Sequence, residues 1–260
     1  MWLLLDIGNS NTHLGLADAV GVVRQSNLPT NDWFTKQAAA QLARFVGRRR
    51  LDGVALCSVV PAVTPHVIKT ARCRWQLIPF ELSAKTVATV SIDYPNPATI
   101  GADRLANAAA LRHYHGAPAV AVDFGTAVTF DVVDRRGRYI GGVIAPGLSA
   151  MTSYLHEKTA LLPAIRIREV DSVIGRSTIA AMQIGAVHGY RGLIRELILE
   201  IKKELGVRRL PVVATGGYAS LLAAKLPEIT AVEPLLTLEG LRLEVQAAGV
   251  PLKSSQRRKK

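Results

Sequence analysis

The chain has 260 residues, 49% apolar and 20% charged, with a formal charge of +12 and an isoelectric point near 10.1. That apolar share is enough to build one large core or two modest ones and fits a compact soluble enzyme. The longest apolar stretches, such as LDGVALCSVVPAV, are broken well short of the roughly 20 residues that span a bilayer, so no transmembrane helix is expected.

The N-terminus MWLLLDIGN lacks a basic leader and a small-residue cleavage site, so a cytoplasmic protein is expected. It begins an apolar strand that turns at Gly8-Asn9-Ser10, returns through Leu14 to Ala17 and turns again near Gly21. A helix is predicted over Asp32 to Val46, a strand over Val54 to Val60 and a helix over Ala102 to His113. The pattern of the opening then recurs in AVAVDFGTAVTFDVVDRRGRYIGGVI: a strand ending in Asp123, a turn at Gly125-Thr126, a return to Val133 and a turn at Gly137. From Asp6 to Asp18 to Gly21 the steps are 12 and 3, and from Asp123 to Asp134 to Gly137 they are 11 and 3. Further helices are predicted over Leu148 to Leu161 and Thr178 to Leu205, the second with Ile194, Leu197, Ile198, Ile201 and Leu205 in one stripe. A last strand, Val212 to Ala214, ends in Thr215-Gly216-Gly217-Tyr218.

This repetition predicts two α/β domains of similar plan, residues 1–115 and 116–250, followed by a basic tail, 251–260, expected to be frayed. A basic excess can signal nucleic acid, acidic lipid or an anionic small substrate. Here much of it lies in the tail and in Arg48-Arg49-Arg50, without interleaved aromatics to stack on bases, so it reads as solvated surface and no nucleic-acid partner is expected. Cys57 and Cys73 lack metal-ligand spacing and read as reduced packing residues.

A strand ending in Asp, then x-Gly-[Asn/Thr], suits phosphate handling. Glycine lets the turn close while its N–H and nearby hydroxyls face the anion, and the Asp positions a metal. The donors are Gly8, Asn9, Ser10 and Asn11 in the first copy and Gly125 and Thr126 in the second. Two such turns from two domains can grip one polyphosphate from opposite sides, although either alone is equally an ordinary hairpin with an Asp-initiated turn. Asp103-Arg104, taken alone, reads as a surface ion pair capping a helix. The six histidines form no metal-ligand pattern; His13 is either a neutral donor to phosphate or simply exposed on a turn.

These motifs resemble those of the ASKHA superfamily, the fold of actin, Hsp70 and sugar kinases. Along nearly the full length they resemble one member, the type III pantothenate kinases. The resemblance rests on Asp6 to Ser10, Tyr94 in DYPNPATIGADRLANA, Asp123 to Ala127, Gly141 to Met151, Ile174 to Gly189 and Thr215 to Ala219, in that order. It implies duplicated RNase H-like domains with the active site in the cleft between them, and ATP-dependent phosphorylation of pantothenate at the first step of coenzyme A biosynthesis. It assigns ATP to Asp6, Ile7, Gly8, Asn9, Ser10, Asn11, Thr12, His13 and Thr126, and the base to Asp103. Pantothenate falls to Tyr94, Gly101, Ala102, Asp103 and Arg104, with Thr178 supplied by the neighbouring subunit of a homodimer. It further implies a monovalent cation, potassium or ammonium, at Asp123, and Mg2+ held by Asp6 directly or through water. The rival readings are another kinase of the superfamily, against which the GADR box and the short chain argue, and a transcriptional regulator on the same fold. A regulator that had lost catalysis should lack Asp103 or one phosphate loop, and both loops are present.

Overall fold

The computed structural model describes residues 1–35 and 37–249, which fall into two compact units. The first comprises Met1–Gly116, Gly137–Ile140 and residues 235–249; the second comprises Ala117–Arg136 and Gly141–Pro234.

In the first unit β1 (Trp2–Ile7), β2 (Asn11–Ala17) and β3 (Val22–Pro29) form an antiparallel meander. After α1 (Gln37–Val46), β4 (Gly53–Ser58) adds parallel to β1; after α2 (Thr64–Trp75), β5 (Phe80–Glu81) adds parallel to β4. The sheet order is β3-β2-β1-β4-β5. β1 reads as an unbroken apolar run because a central strand is covered on both faces. Its alternation splits the core in two. Leu3, Leu5 and Ile7 pack with Leu14, Leu16, Leu56 and the inner faces of α1 and α2, whereas Trp2 and Leu4 pack with Ala55, Cys57 and the helix α3 (Ala102–His115). The short strand β6 (Ser91–Ile92) precedes α3.

The second unit repeats this order. The strand β7 (Ala119–Phe124) pairs antiparallel with β8 (Ala127–Val133), which neighbours β9 (Arg138–Pro146). The helices α4 (Leu148–Lys158), α5 (Thr178–Ile184) and α6 (Tyr190–Glu204) follow. β10 (Val212–Thr215) lies parallel to β7 and, after α7 (Ala219–Ala223), β11 (Ala231–Val232) lies parallel to β10. The order β9-β8-β7-β10-β11 matches β3-β2-β1-β4-β5 strand for strand, as a duplicated RNase H-like fold requires. The first residues of β9 belong to the first unit, where Arg138 and Tyr139 pair with Ser91 and Ile92 of β6.

The last helix, α8 (Leu236–Ala247), departs from the expected division at 116–250, because it packs in the first unit rather than the second. Leu238, Leu241 and Val245 join Leu105 and Ala106 of α3, and the buried Glu244 carboxylate accepts the Ala88 N–H at 2.6 Å and the Thr89 N–H at 3.2 Å. A domain reading by sequence order cannot see that return. Two expected helices are interrupted. The segment from Asp32 divides into a 3-10 turn, Thr30–Phe34, and α1, with Thr35 extended between them. The run from Thr178 to Leu205 contains a wide turn at Gly185–Gly189 between α5 and α6, where two glycines flank the weakened backbone. The α6 stripe packs within its own unit, Ile194 and Ile198 fully and Leu197, Ile201 and Leu205 partly. The expected frayed tail, 251–260, lies outside the described residues.

Candidate active site

By alternation Asp6 shares the face of Trp2 and Leu4, so its carboxylate meets β4 and the start of α3 instead of the α1 and α2 side. Its cross-strand partner on β4 is Cys57, whose Sγ donates to Asp6 Oδ1 at 3.5 Å. Asp103 lies in the first turn of α3 and accepts the Arg104 N–H at 2.9 Å. A Cβ at Gly101 would sit 2.5 Å from Asp103 Oδ1, so any larger residue there would have to displace the carboxylate.

These groups share their charge. Burial and then the Asp103 charge push Asp6 from 3.8 up to about 7, against the Cys57 hydrogen bond. Burial also raises Asp103, opposed by the Arg104 N–H and the Arg104 charge. Burial and both carboxylates push the Cys57 thiol up, so it stays protonated as a donor. Cys57 therefore neighbours both carboxylates as well as joining the core; Cys73 is exposed rather than a buried packing residue, contrary to expectation.

Asp6 has a consequence for stability. Its folded pKa lies above the unfolded value, so folding is progressively disfavoured as pH rises from about 4 to about 7, and the full penalty holds above that. Asp6→Asn should therefore raise the melting temperature of the ligand-free protein at pH 8, and the gain should vanish near pH 4. With solvent screening at a partly exposed site the gain at pH 8 corresponds to ~1–2 kcal/mol, or roughly 3–6 °C. Equal melting temperatures at pH 8 would show that Asp6 carries no such burial and charge penalty.

The turn after β1 is narrow: the Gly8 N–H donates to the Asn11 carbonyl at 3.0 Å, and Asn9, Ser10 and Asn11 are exposed. His13, expected within this loop, instead lies on β2 directly opposite Asp6, with Nδ1 2.8 Å from Asn27 Oδ1. Thr12 turns to the opposite face, where its buried hydroxyl bonds Thr30 and Trp33, and the Ile7 side chain is also core. Of these two residues only the backbone can meet a ligand. The Ala102 side chain is likewise buried.

Tyr94 and Arg104 converge on a residue that sequence reading missed. The Arg104 guanidinium carbon lies 5.7 Å from the Tyr139 ring centroid, and the Tyr94 ring lies 6.3 Å from the same ring. Asp93 fixes the approach, its N–H bonding the Tyr139 carbonyl at 2.9 Å and its carboxylate pairing Arg138 at 2.7 Å. Nothing local in the sequence marks Tyr139 or Cys57, which reach the site through strand pairings.

In the second unit Asp123, next to last in β7, lies beside Thr215 of β10. Gly216 has φ +87°, and a Cβ there would lie 2.5 Å from Asp123 Oδ1, so this glycine brings backbone up to the carboxylate. The following turn carries the exposed Thr126; the Gly125 N–H bonds the Ala127 carbonyl at 3.1 Å and the Gly147 N–H bonds the Thr126 carbonyl at 3.2 Å. The closure spans one residue fewer than at Gly8. Thr178 is exposed at the start of α5, after the cap formed by Ser177, and lines an apolar groove of about 750 Å³ with Met151, Tyr154, Leu155 and Met182.

Comparison with known proteins places these residues in context. The family model for type III pantothenate kinase matches residues 2–200. A type III pantothenate kinase from Methylacidiphilum infernorum is 46% identical over 93% of this chain and 86% of its own length. Among solved structures, a Campylobacter jejuni protein described as belonging to the Baf family of transcriptional activators superposes with a TM-score of 0.59 at 19% identity, covering 94% of this chain and 97% of its own. The activator of 2-hydroxyisocaproyl-CoA dehydratase from Clostridium difficile, solved with bound ADPNP, gives 0.53 at 15% identity, covering 99% and 97%. At such identities the structural likeness concerns the fold alone.

Proposed function

The chain belongs to the type III pantothenate kinase family and phosphorylates pantothenate with ATP at the first step of coenzyme A biosynthesis, and from that premise we propose that Asp103 is its general base. The carrying observation is that burial holds the Asp103 carboxylate above its ordinary range at the start of α3, beside Asp6, Gly101 and Arg104. A carboxylate that resists ionisation is a stronger proton acceptor once ionised. As the oxygen of the pantothenate hydroxyl forms its bond to the γ-phosphorus, the bond from phosphorus to the bridging oxygen breaks, ADP leaves, and the hydroxyl proton passes to Asp103. Arg104 and Tyr94, both braced on Tyr139, hold the pantothenate in line. Gly101, Ala102 and the backbone between them admit the acceptor closely.

ATP is assigned to the turn from Asp6 to His13 and to Thr126. A kinase of this kind uses a divalent metal, and the residues present suit Mg2+, which commonly takes one carboxylate plus phosphate oxygens. Asp6 is that carboxylate, and a cation beside it would offset the burial and the Asp103 charge that hold it near neutral pKa. Mg2+ held there would supply neutralisation of the phosphate charge.

Asp123 is assigned a monovalent cation, since its carboxylate offers hard oxygen donors of the kind potassium uses and Gly216 keeps the space beside it free of a side chain. Turnover should require K+ or NH4+; equal rates in sodium alone would refute this assignment. The protein acts as a homodimer in the cytoplasm. The α6 stripe is satisfied within its unit, but Met151, Tyr154 and Leu155, which line the groove with Thr178, and the adjoining Ile179 are exposed, an apolar surface that a second copy would cover. Among the described residues no helix is long and apolar enough to cross a membrane. Light scattering should give twice the chain mass at micromolar concentration, and an active monomer would exclude a shared site.

A further inference from the structure

We infer that Thr30 is a positioning residue for the ATP-phosphate turn, an inference that rests on the assignment of ATP to residues 6–13. Thr30 is buried at the junction of β3 and the 3-10 turn, far from the turn in sequence. Its hydroxyl donates to the Gly8 carbonyl at 2.7 Å, and its N–H donates to the Ser10 carbonyl at 3.0 Å. Behind it, Thr12 Oγ1 lies 3.1 Å from Thr30 Oγ1 and receives the Trp33 Nε1–H at 3.1 Å.

The direction of every hydrogen bond in this chain is determined. An indole N–H only donates and a carbonyl only accepts, so the protons run from Trp33 to Thr12, from Thr12 to Thr30 and from Thr30 to Gly8. Hydrogen bonds aligned in one direction polarise and reinforce one another. The consequence at the site is electrostatic. A phosphate approaching the turn is repelled by any carbonyl oxygen that faces it, and Thr30 holds two of the turn's carbonyls, Gly8 and Ser10, toward the core. The exposed edge at Asn9, Ser10 and Asn11 is left to present donors. Thr30 touches no ligand in this role; it acts through the backbone of the turn.

Thr30→Val keeps the β-branched shape and removes only the hydroxyl. It should raise KM for ATP by about tenfold, the equivalent of ~1.4 kcal/mol, with KM for pantothenate within about twofold of the parent. Thr30→Ser, which restores the hydroxyl, should bring KM for ATP back to within about twofold. An unchanged KM for ATP in Thr30→Val overturns the inference, as does a proportional loss in both KM values and kcat that Thr30→Ser does not rescue. If Thr30→Val fails to fold, Thr12→Val interrupts the chain one bond earlier and must raise KM for ATP selectively, by roughly two- to threefold; no change there also overturns it. Asp6→Asn, measured alongside, locates any failure. If it too leaves Mg-ATP use unaltered, the assignment of ATP to this turn is wrong; if it alone weakens Mg-ATP use, only the role of Thr30 falls.

Discussion

Asp103→Asn is expected to lower kcat by about 10²- to 10⁴-fold, the range contributed by a positioned general base. The amide keeps the shape of the carboxylate at the start of α3 and its carbonyl can still accept the Arg104 N–H, so the helix terminus and the fold should persist. What it loses is the oxygen able to take a full proton. KM for ATP should change little, because the nucleotide is assigned to the turn after β1 and to Thr126, and the neighbouring Asp6 should become easier to ionise as a repelling charge disappears. The pH profile adds an independent check. Burial raises the Asp103 pKa, so in the parent enzyme kcat/KM should fall on the acid side at a pH above the ordinary carboxylate range as the base becomes protonated. Near-normal turnover of Asp103→Asn at saturating pantothenate, or a loss of ATP binding as severe as the loss of rate, would show that the base lies elsewhere.

The largest effect on stability is expected at a residue remote from the chemistry. Gly240 on α8 lies against α3 so closely that a Cβ would sit 1.8 Å from the Ala106 carbonyl oxygen and 2.5 Å from its carbon. The obstruction is helix backbone, which cannot rotate aside as a side chain would. Gly240→Ala must therefore push the two helices apart and break the packing of Leu105 and Ala106 with Leu238 and Leu241. Glycine is otherwise the poorer helix former by about 1 kcal/mol, so propensity alone predicts stabilisation and sterics the opposite. Overpacking of this kind costs typically ~1–3 kcal/mol, and a backbone clash belongs at the top of that range. Thermal unfolding should fall by roughly 10 °C. Because α3 carries Asp103 and Arg104, residual activity of the folded fraction should fall as well. A melting temperature equal to or above that of the parent would contradict the close packing of α3 on α8.

Sequence and structure divide the account along the range of the forces involved. The repeated strand, Asp-x-Gly turn and return strand, together with the helix that opens at GADR, could be read from the chain alone. Apolar alternation, glycine turns and helix starts are local properties, written within a few residues of where they act. The same reading proposed Asp6, Asp103, Asp123 and Thr126 as site residues, because they fall near the ends of strands, in a turn or at a helix start. It could not show that Cys57 would face Asp6, that Tyr139 would brace Arg104 and Tyr94, or that Thr30 would hold the carbonyls of the first turn, because each contact follows from strand register or from chain that returns after a long interval. Nor could it place α8 in the first unit, since that is decided by which apolar face remains uncovered once the sheet has formed. The raised pKa of Asp6 belongs to the same class: the residue is local, but the burial and the neighbouring charge that shift it exist only in the folded chain.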